Sequence, residues 1–260
     1  MGQLIDCVGI SNNILRNILK LDNIPPLYVI TSETDTEIKF MDIQQLAKQV
    51  NIECININVS TFEDIRRQIM RLNNDSNCYG IYINTLHKYL LEKQIEIYSL
   101  ISPLKDVSAK NVVSTGFISY NNNLIFPPRV TIVIRLLQEL NLILDGLTVT
   151  VIDFENEISI PLTSFLLDQG CNVTLCNKYT KNLRRYTKYN DVIISLIGKP
   201  YKFLTSGIKE NSIFIDLDIF QEINNVDVLK DTVSYYTDAY GIKQLYITYI
   251  FYNFAKLLQL

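Results

Sequence analysis

Histidine is almost missing from this 260-residue chain. His87 is the sole example, so no histidine-rich metal site and no His–His acid–base pair can be built. Cysteine is also sparse. Cys7, Cys54, Cys78, Cys171 and Cys176 are odd in number, and no two stand at C-x-x-C spacing, which excludes a zinc ribbon or a thioredoxin motif. They read as inert thiols of the cytoplasm or another reducing compartment. Nine glycines leave few places where backbone can come close to a phosphate. No run of 18 apolar residues is present, so no membrane span is expected. The N-terminal residues lack a basic region before an apolar core, so no secretory signal is expected either. An excess of positive charge is missing too. With 24 Lys and Arg against 27 Asp and Glu, the net charge is -3, and neither nucleic acid nor an anionic membrane is an expected partner.

What is present is a globular balance: 48% hydrophobic and 20% charged residues. At roughly 150 residues per domain the length suits about two domains or one large one. Isoleucine (37), asparagine (25) and tyrosine (16) are abundant and alanine (4) is rare, a bias that an AT-rich coding sequence produces.

Strand and helix patterns alternate. Residues 27–31 (LYVIT) form a short buried run after Pro25 and Pro26, and 52–59 (IECININV) alternate as a strand does. Residues 80–83 (GIYI) give a third strand. Between them, 38–50 and 61–72 carry apolar residues at helical spacing, and 86–100 read as helix. A loop-rich stretch, 102–128, marks the domain change. Residues 130–140 then form a helix behind Pro127 and Pro128. Strands are expected at 148–153, 172–176, 191–197 and 212–217, with a helix at 160–169 and an aromatic-rich helix at 244–258. Repeated strand–helix units argue for an α/β fold with a mainly parallel sheet. The expected division is 1–121, joined by 242–260, and a Rossmann-like domain over 122–241.

Several spaced stretches carry a resemblance. They are PLKDV at 103–107, Gly116, Phe126 with Pro127, LDG at 144–146, Pro161, Gly170 with Cys171, TKNL at 180–183, Asp191 with GKP at 198–200, and IFID at 213–216. PLYVI at 26–30 and YGIYIN at 79–84 extend it more loosely into the first half. In order and spacing the chain resembles the bifunctional methylenetetrahydrofolate dehydrogenase/cyclohydrolase family, FolD type. The resemblance implies a folate-handling first domain, an NADP-binding second domain, and a dimer formed through the second.

Against that family pattern the active-site letters are degenerate. The family's Y-x-x-x-K, whose Lys is its central catalytic group, falls on Lys39 and Ile43. An isoleucine can neither transfer a proton nor polarise a carbonyl. Lys39, about 6 Å or one helical turn from Ile43, is either a displaced substitute or a solvated helix lysine. The family's orienting Gln falls on Asn84. D-V-D-G becomes Asp106-Val107-Ser108-Ala109, where Asp106 is either a folate ligand or the cap of its own turn. His87 reads as a surface residue.

The cofactor side departs further. The family's phosphate loop, G-x-S-x-x-V-G-x-P, falls on 153–161, with Asp153, Glu155 and Ser159 at its Gly, Ser and second Gly. With Glu157, three carboxylates line a site meant for phosphates. One like-charge pair at about 4 Å costs on the order of 4 kcal/mol at an effective dielectric near 20. The same carboxylates suit a helix N-terminus. The remaining cofactor candidates are Lys178, Thr180, Gly198 and Pro200. Lys178 opens a basic cluster with Lys181, Arg184, Arg185 and Lys188, where the family handles the 2′-phosphate of NADP; a solvated basic helix face explains the cluster equally well, and nucleic-acid binding by it is a weak reading because the whole chain is acidic. The closing Pro/Gly loop falls on 238–247, and of it Gly241 alone survives. The expectation is therefore a FolD-like pseudoenzyme that needs no cofactor and acts as a homodimer or as a subunit of an assembly. The alternative is a divergent NADP-dependent enzyme using Lys39, Asn84 and Asp106.

Overall fold

The computed structural model describes residues 2–32, 38–86, 88–118, 125–153, 158–197, 207–218 and 231–259. The chain divides into two compact units. One holds residues 10–128 and 246–260, the other residues 1–9 and 129–245. Both are α/β, and every strand pairing within them is parallel.

The second-half unit is built on a six-stranded sheet in the order β1-β9-β8-β7-β5-β6. Its strands are β1 (Gln3–Leu4), β5 (Thr148–Ile152), β6 (Asn172–Cys176), β7 (Val192–Ser195), β8 (Ile213–Asp216) and β9 (Tyr235–Tyr236). The central strands β7 and β8 are wholly buried, which accounts for their unbroken apolar runs. Strand order reverses at β5, which has β6 on one side and β7 on the other. Ligands of open α/β sheets bind outside the strand ends at such a switch point. The helix α6 (Pro128–Glu139) takes Pro128 as its first residue, where the missing N–H costs nothing. After α7 (Ser159–Asp168) the chain turns into β6 through Gly170 at φ +82, where an added Cβ would meet Asp145 Oδ1 at 2.4 Å. The first nine residues differ from expectation. They lie with this unit, because β1 pairs with β9, and not with the first half.

The first-half unit has a three-stranded sheet, β3-β2-β4, of β2 (Leu27–Thr31), β3 (Cys54–Asn58) and β4 (Ile81–Thr85). One face carries Ile30, Ile81 and Ile83 onto Ile65, Ile69 and Leu72 of α3 (Phe62–Asn74) and Ile97 of α4 (Gln94–Leu100). The 4-then-3 spacing of the α3 residues is the stripe that makes it amphipathic. Thr61 opens α3 by accepting from the Asp64 backbone N–H at 3.1 Å. Lys105 closes it. Its Nζ donates to the carbonyls of Leu72, Asn73 and Asp75 at 3.0, 2.9 and 2.8 Å, so its charge meets the negative end of the helix. Gly80 lets Phe254 lie against β4, since a Cβ there would stand 2.5 Å from the ring. Two helices here depart from the expected pattern. They are α1 (Cys7–Ile18) and α5 (Val112–Ile118), the latter inside the stretch read as loop.

Candidate functional site

In the second-half unit, the chain leaves β5 at Asp153, which is 4% exposed. Its backbone N–H donates to Cys176 O at 3.0 Å, extending the β5–β6 pairing. Its Oδ2 accepts from the Ser159 backbone N–H at 3.1 Å. Ser159 opens α7, so the carboxylate sits against the positive end of that helix. This is the position the resemblance gives to pyrophosphate. Asp153 and Ser159 replace two glycines, and both are buried. A phosphate at this helix start would meet the Asp153 carboxylate, which is already hydrogen-bonded to the Ser159 backbone N–H. Glu155, Glu157, Gly198 and Pro200 lie outside the described residues, as does His87.

Thr180 and Lys178 follow β6. Thr180 Oγ1 accepts from the Asn177 N–H at 2.9 Å, and Asn177 Oδ1 accepts from the Tyr179 N–H at 2.9 Å. Thr180 thus secures its own turn. Lys178 is exposed, with its ammonium 5.3 Å from the Tyr179 ring centre. At the other end of the sheet, Asp191 accepts from the Thr148 N–H and hydroxyl at 3.0 and 2.7 Å and pairs with Lys209. The Lys209 ammonium, then the Thr148 hydroxyl, hold the Asp191 carboxyl down at about 2. That is a structural tie across the strand starts.

The segment equivalent to the family's closing loop is a helix. Thr237 Oγ1 accepts from the Asp216 N–H at 2.8 Å, and Asp238 Oδ1 accepts from the Gly241 N–H at 2.7 Å, opening the helix α9 (Ala239–Leu257). Gly241 survives for packing. A Cβ there would stand 2.7 Å from Cys7 Cβ.

In the first-half unit, Lys39 is not inside a helix. It is the residue before α2 (Phe40–Gln49), at φ -73 and ψ 150, and its backbone N–H donates to Asp42 Oδ2 at 2.9 Å. As the N-cap its carbonyl still accepts from the Ile43 N–H, one turn on, at 3.4 Å, but its own backbone is extended. Lys39 is exposed, whereas Ile43 is fully buried. Asn84 Nδ2 donates to Ile38 O at 3.0 Å, tying the end of β4 to the approach of α2. Its Oδ1 is buried and has no hydrogen-bond partner among the described residues. The fold therefore brings Asn84 to the Ile38–Lys39 backbone. Asp106 is elsewhere in character. It is 0% exposed, and its carboxylate accepts from the backbone N–H groups of Ser108 (2.9 Å), Lys110 (2.7 Å) and Asn111 (2.7 Å). Burial pushes its pKa up, and those three N–H groups pull it back. Of the two readings for Asp106, the geometry is that of a cap.

Two polar features had escaped sequence reading. Thr31 Oγ1 donates to Asn56 Oδ1 at 2.9 Å, and Asn56 Nδ2 donates to Asn58 Oδ1 at 3.1 Å. Tyr82 OH donates to Tyr246 OH at 3.4 Å. The period-2 pattern of C-I-N-I-N puts both asparagines on one face of β3, and the register sets Asn56 across from Val29, itself across from Tyr82. That pairing is not visible from one strand alone.

Nucleophilic and metal chemistry find no support among the described residues. All five cysteines are free. Burial, aided by Asp238 and Asp6, pushes the Cys7 thiol up to about 12, and burial with Glu53 does the same for Cys54. No group of three or more His, Cys, Asp or Glu is placed to hold a metal ion among the described residues, and no helix among them is long and apolar enough to cross a membrane.

The parallel sheet with its switch point at β5 defines an α/β protein with a Rossmann-like, NAD(P)-binding-type half. Comparison with known proteins is specific. Residues 127–242 match the tetrahydrofolate dehydrogenase/cyclohydrolase NAD(P)-binding domain. The chain is 33% identical over 195 residues to the bifunctional protein FolD of Mycoplasma capricolum, covering 72% of this chain and 67% of that one. It is 25% identical over 229 residues to FolD of Thermosipho melanesiensis, covering 86% and 83%. Among solved structures, the FolD enzyme of Campylobacter jejuni superposes with a TM-score of 0.91 at 20% identity, covering 100% of this chain and 99% of that one. The Trypanosoma brucei enzyme, solved with NADP cofactor and inhibitor, gives 0.87 at 18% identity, covering 99% and 97%. The chain belongs to the FolD family of methylenetetrahydrofolate dehydrogenase/cyclohydrolases.

Proposed function

We propose that this FolD-family protein has lost both family activities and serves as a binding or structural subunit. The observation that carries the reading is Ile43. It occupies the position that the resemblance gives to the catalytic lysine, and it is 0% exposed. Lys39, the nearest candidate substitute in sequence, is exposed and sits on the extended residue before α2, whereas Ile43 is buried. Asp153 supports the reading on the cofactor side, since its carboxylate takes the α7 N-terminus. The two losses lie in separate units, so no single substitution repairs both. A thermal-shift experiment tests the cofactor half. A ligand with a dissociation constant of about 10 μM, present at about 1 mM, stabilises by roughly 2.7 kcal/mol. NADP is expected to leave the unfolding midpoint unchanged, and a rise of several degrees would restore the divergent NADP-dependent enzyme as the better reading.

The same reading places a second copy of this chain, or another protein, on the second-half unit. Ile160 and Leu167 of α7 are 53% and 56% exposed, seven residues apart on one helix face. Sedimentation is expected to give a dimer at tens of micromolar. A clean monomer that is unchanged by Ile160→Lys contradicts this assignment.

A further inference from the structure

The segment after β6 has a built inner side and exposed residues rich in cations and free of carboxylates. Leu183 and Tyr186 pack against the core formed by Ile152, Ile193 and Phe214. Thr187 is 0% exposed and its hydroxyl donates to Gly207 O at 2.5 Å, while the Tyr186 carbonyl accepts from Thr150 Oγ1 at 2.7 Å. Successive turns, Arg185 N–H to Asn182 O at 3.0 Å and Lys188 N–H to Arg184 O at 3.1 Å, fix the backbone through α8 (Arg184–Thr187). With those anchors inward, Lys178, Lys181, Arg184, Arg185 and Lys188 are all exposed. None of the five forms an ion pair with a carboxylate among the described residues, and the sequence from Gln169 to Asn190 contains no Asp or Glu. Two tyrosines share this outer side. Tyr179 is 77% and Tyr189 71% exposed, each with a lysine ammonium 5.3 Å from its ring centre.

We propose that this face binds single-stranded nucleic acid, with the five cations following the phosphate backbone and Tyr179 and Tyr189 stacking on bases. Such sites combine a cationic track with aromatic platforms. The expectation against nucleic acid rested on the net charge of the whole chain. That sum conceals a preordered local patch, and it is the local potential that a polyanion meets. One dinucleotide phosphate does not account for five cations that form no ion pair among the described residues. A lipid surface suits the patch less well, because the outward residues include no large aliphatic side chain to insert beside the charges. The proposal does not depend on the loss of folate chemistry.

The test is fluorescence anisotropy of the full chain with labelled 12-nucleotide RNA and DNA single strands, with the matching duplex, anionic phosphatidylserine vesicles and NADP as further arms. Binding is expected in the micromolar range at low salt, for RNA, DNA or both. Five neutralised phosphates give a log–log salt slope of about -3.5. Between 50 and 200 mM salt the affinity then falls by about 100-fold. Lys181→Glu with Arg184→Glu abolishes binding, and Lys181→Gln with Arg184→Gln, a milder change for folding, weakens it and flattens the slope. Tyr179→Ala costs about tenfold without changing the slope. A control, Lys20→Ala with Lys48→Ala, leaves binding intact. The proposal is overturned by no binding at low salt, by equal binding of the duplex, or by patch variants no weaker than the control. Displacement of the strand by equimolar NADP, or vesicle binding without strand binding, overturns it as well.

Discussion

Replacing Asp106 by alanine is expected to destabilise the protein by about 3–5 kcal/mol, a loss characteristic of a broken buried charged network. The carboxylate is fully buried and holds three backbone N–H groups at 2.7 to 2.9 Å. Alanine leaves three donors without an acceptor where water does not reach, at about 1–3 kcal/mol each before relief of the carboxylate's own desolvation. Asp106→Asn keeps one oxygen and falls between parent and alanine variant. Denaturant unfolding followed by circular dichroism measures both. A folate ligand awaiting its partner behaves differently, since its removal costs the fold little. A loss below about 1 kcal/mol for Asp106→Ala would therefore return this residue to the binding machinery.

The second large effect concerns Ile43. Writing the family's lysine back, Ile43→Lys, is expected to yield no hydrolysis of methenyltetrahydrofolate and to cost several kcal/mol. The site that receives the ammonium is 0% exposed. An unpaired charge buried in this way costs about 3–5 kcal/mol, or is neutralised by a depressed pKa. At about 2–4 °C per kcal/mol for a chain of this size, the unfolding midpoint falls by roughly 10 °C. Retained stability with recovered turnover would mean that the site is intact and had lost one side chain only.

Much of this architecture could be read from the residues. The parallel strands at 27–31, 148–153 and 191–197 stand out because buried strands are apolar runs, and the Pro127–Pro128 pair announces α6. The short strands β1 and β9 did not stand out. Two residues carry no period, and their pairing joins positions more than 200 apart in sequence. α5 was hidden for a chemical reason. Its exposed residues include Val112, Val113 and Phe117 while Ser114 is buried, the reverse of the pattern that signals a helix. At the site, the replacement of the lysine by Ile43 was legible as a letter. That Lys39 stands outside the helix was not, because spacing of four residues implies a shared face only where the backbone is helical. The Asp153 carboxylate was expected at the α7 N-terminus from its charge, and its bond to Ser159 is found there. Sequence alone leaves Asp106 between two roles, because it cannot show which backbone N–H groups a loop carboxylate faces.

The loss of family chemistry is tested most directly by a spectrophotometric assay of methenyltetrahydrofolate hydrolysis on the purified chain, with Lys39→Ala and Asn84→Ala assayed beside it. The expected result is one progress curve for all three proteins, indistinguishable from the uncatalysed reaction. Turnover above that background in the parent chain, abolished by Lys39→Ala, contradicts the pseudoenzyme reading and makes Lys39 the displaced catalytic lysine.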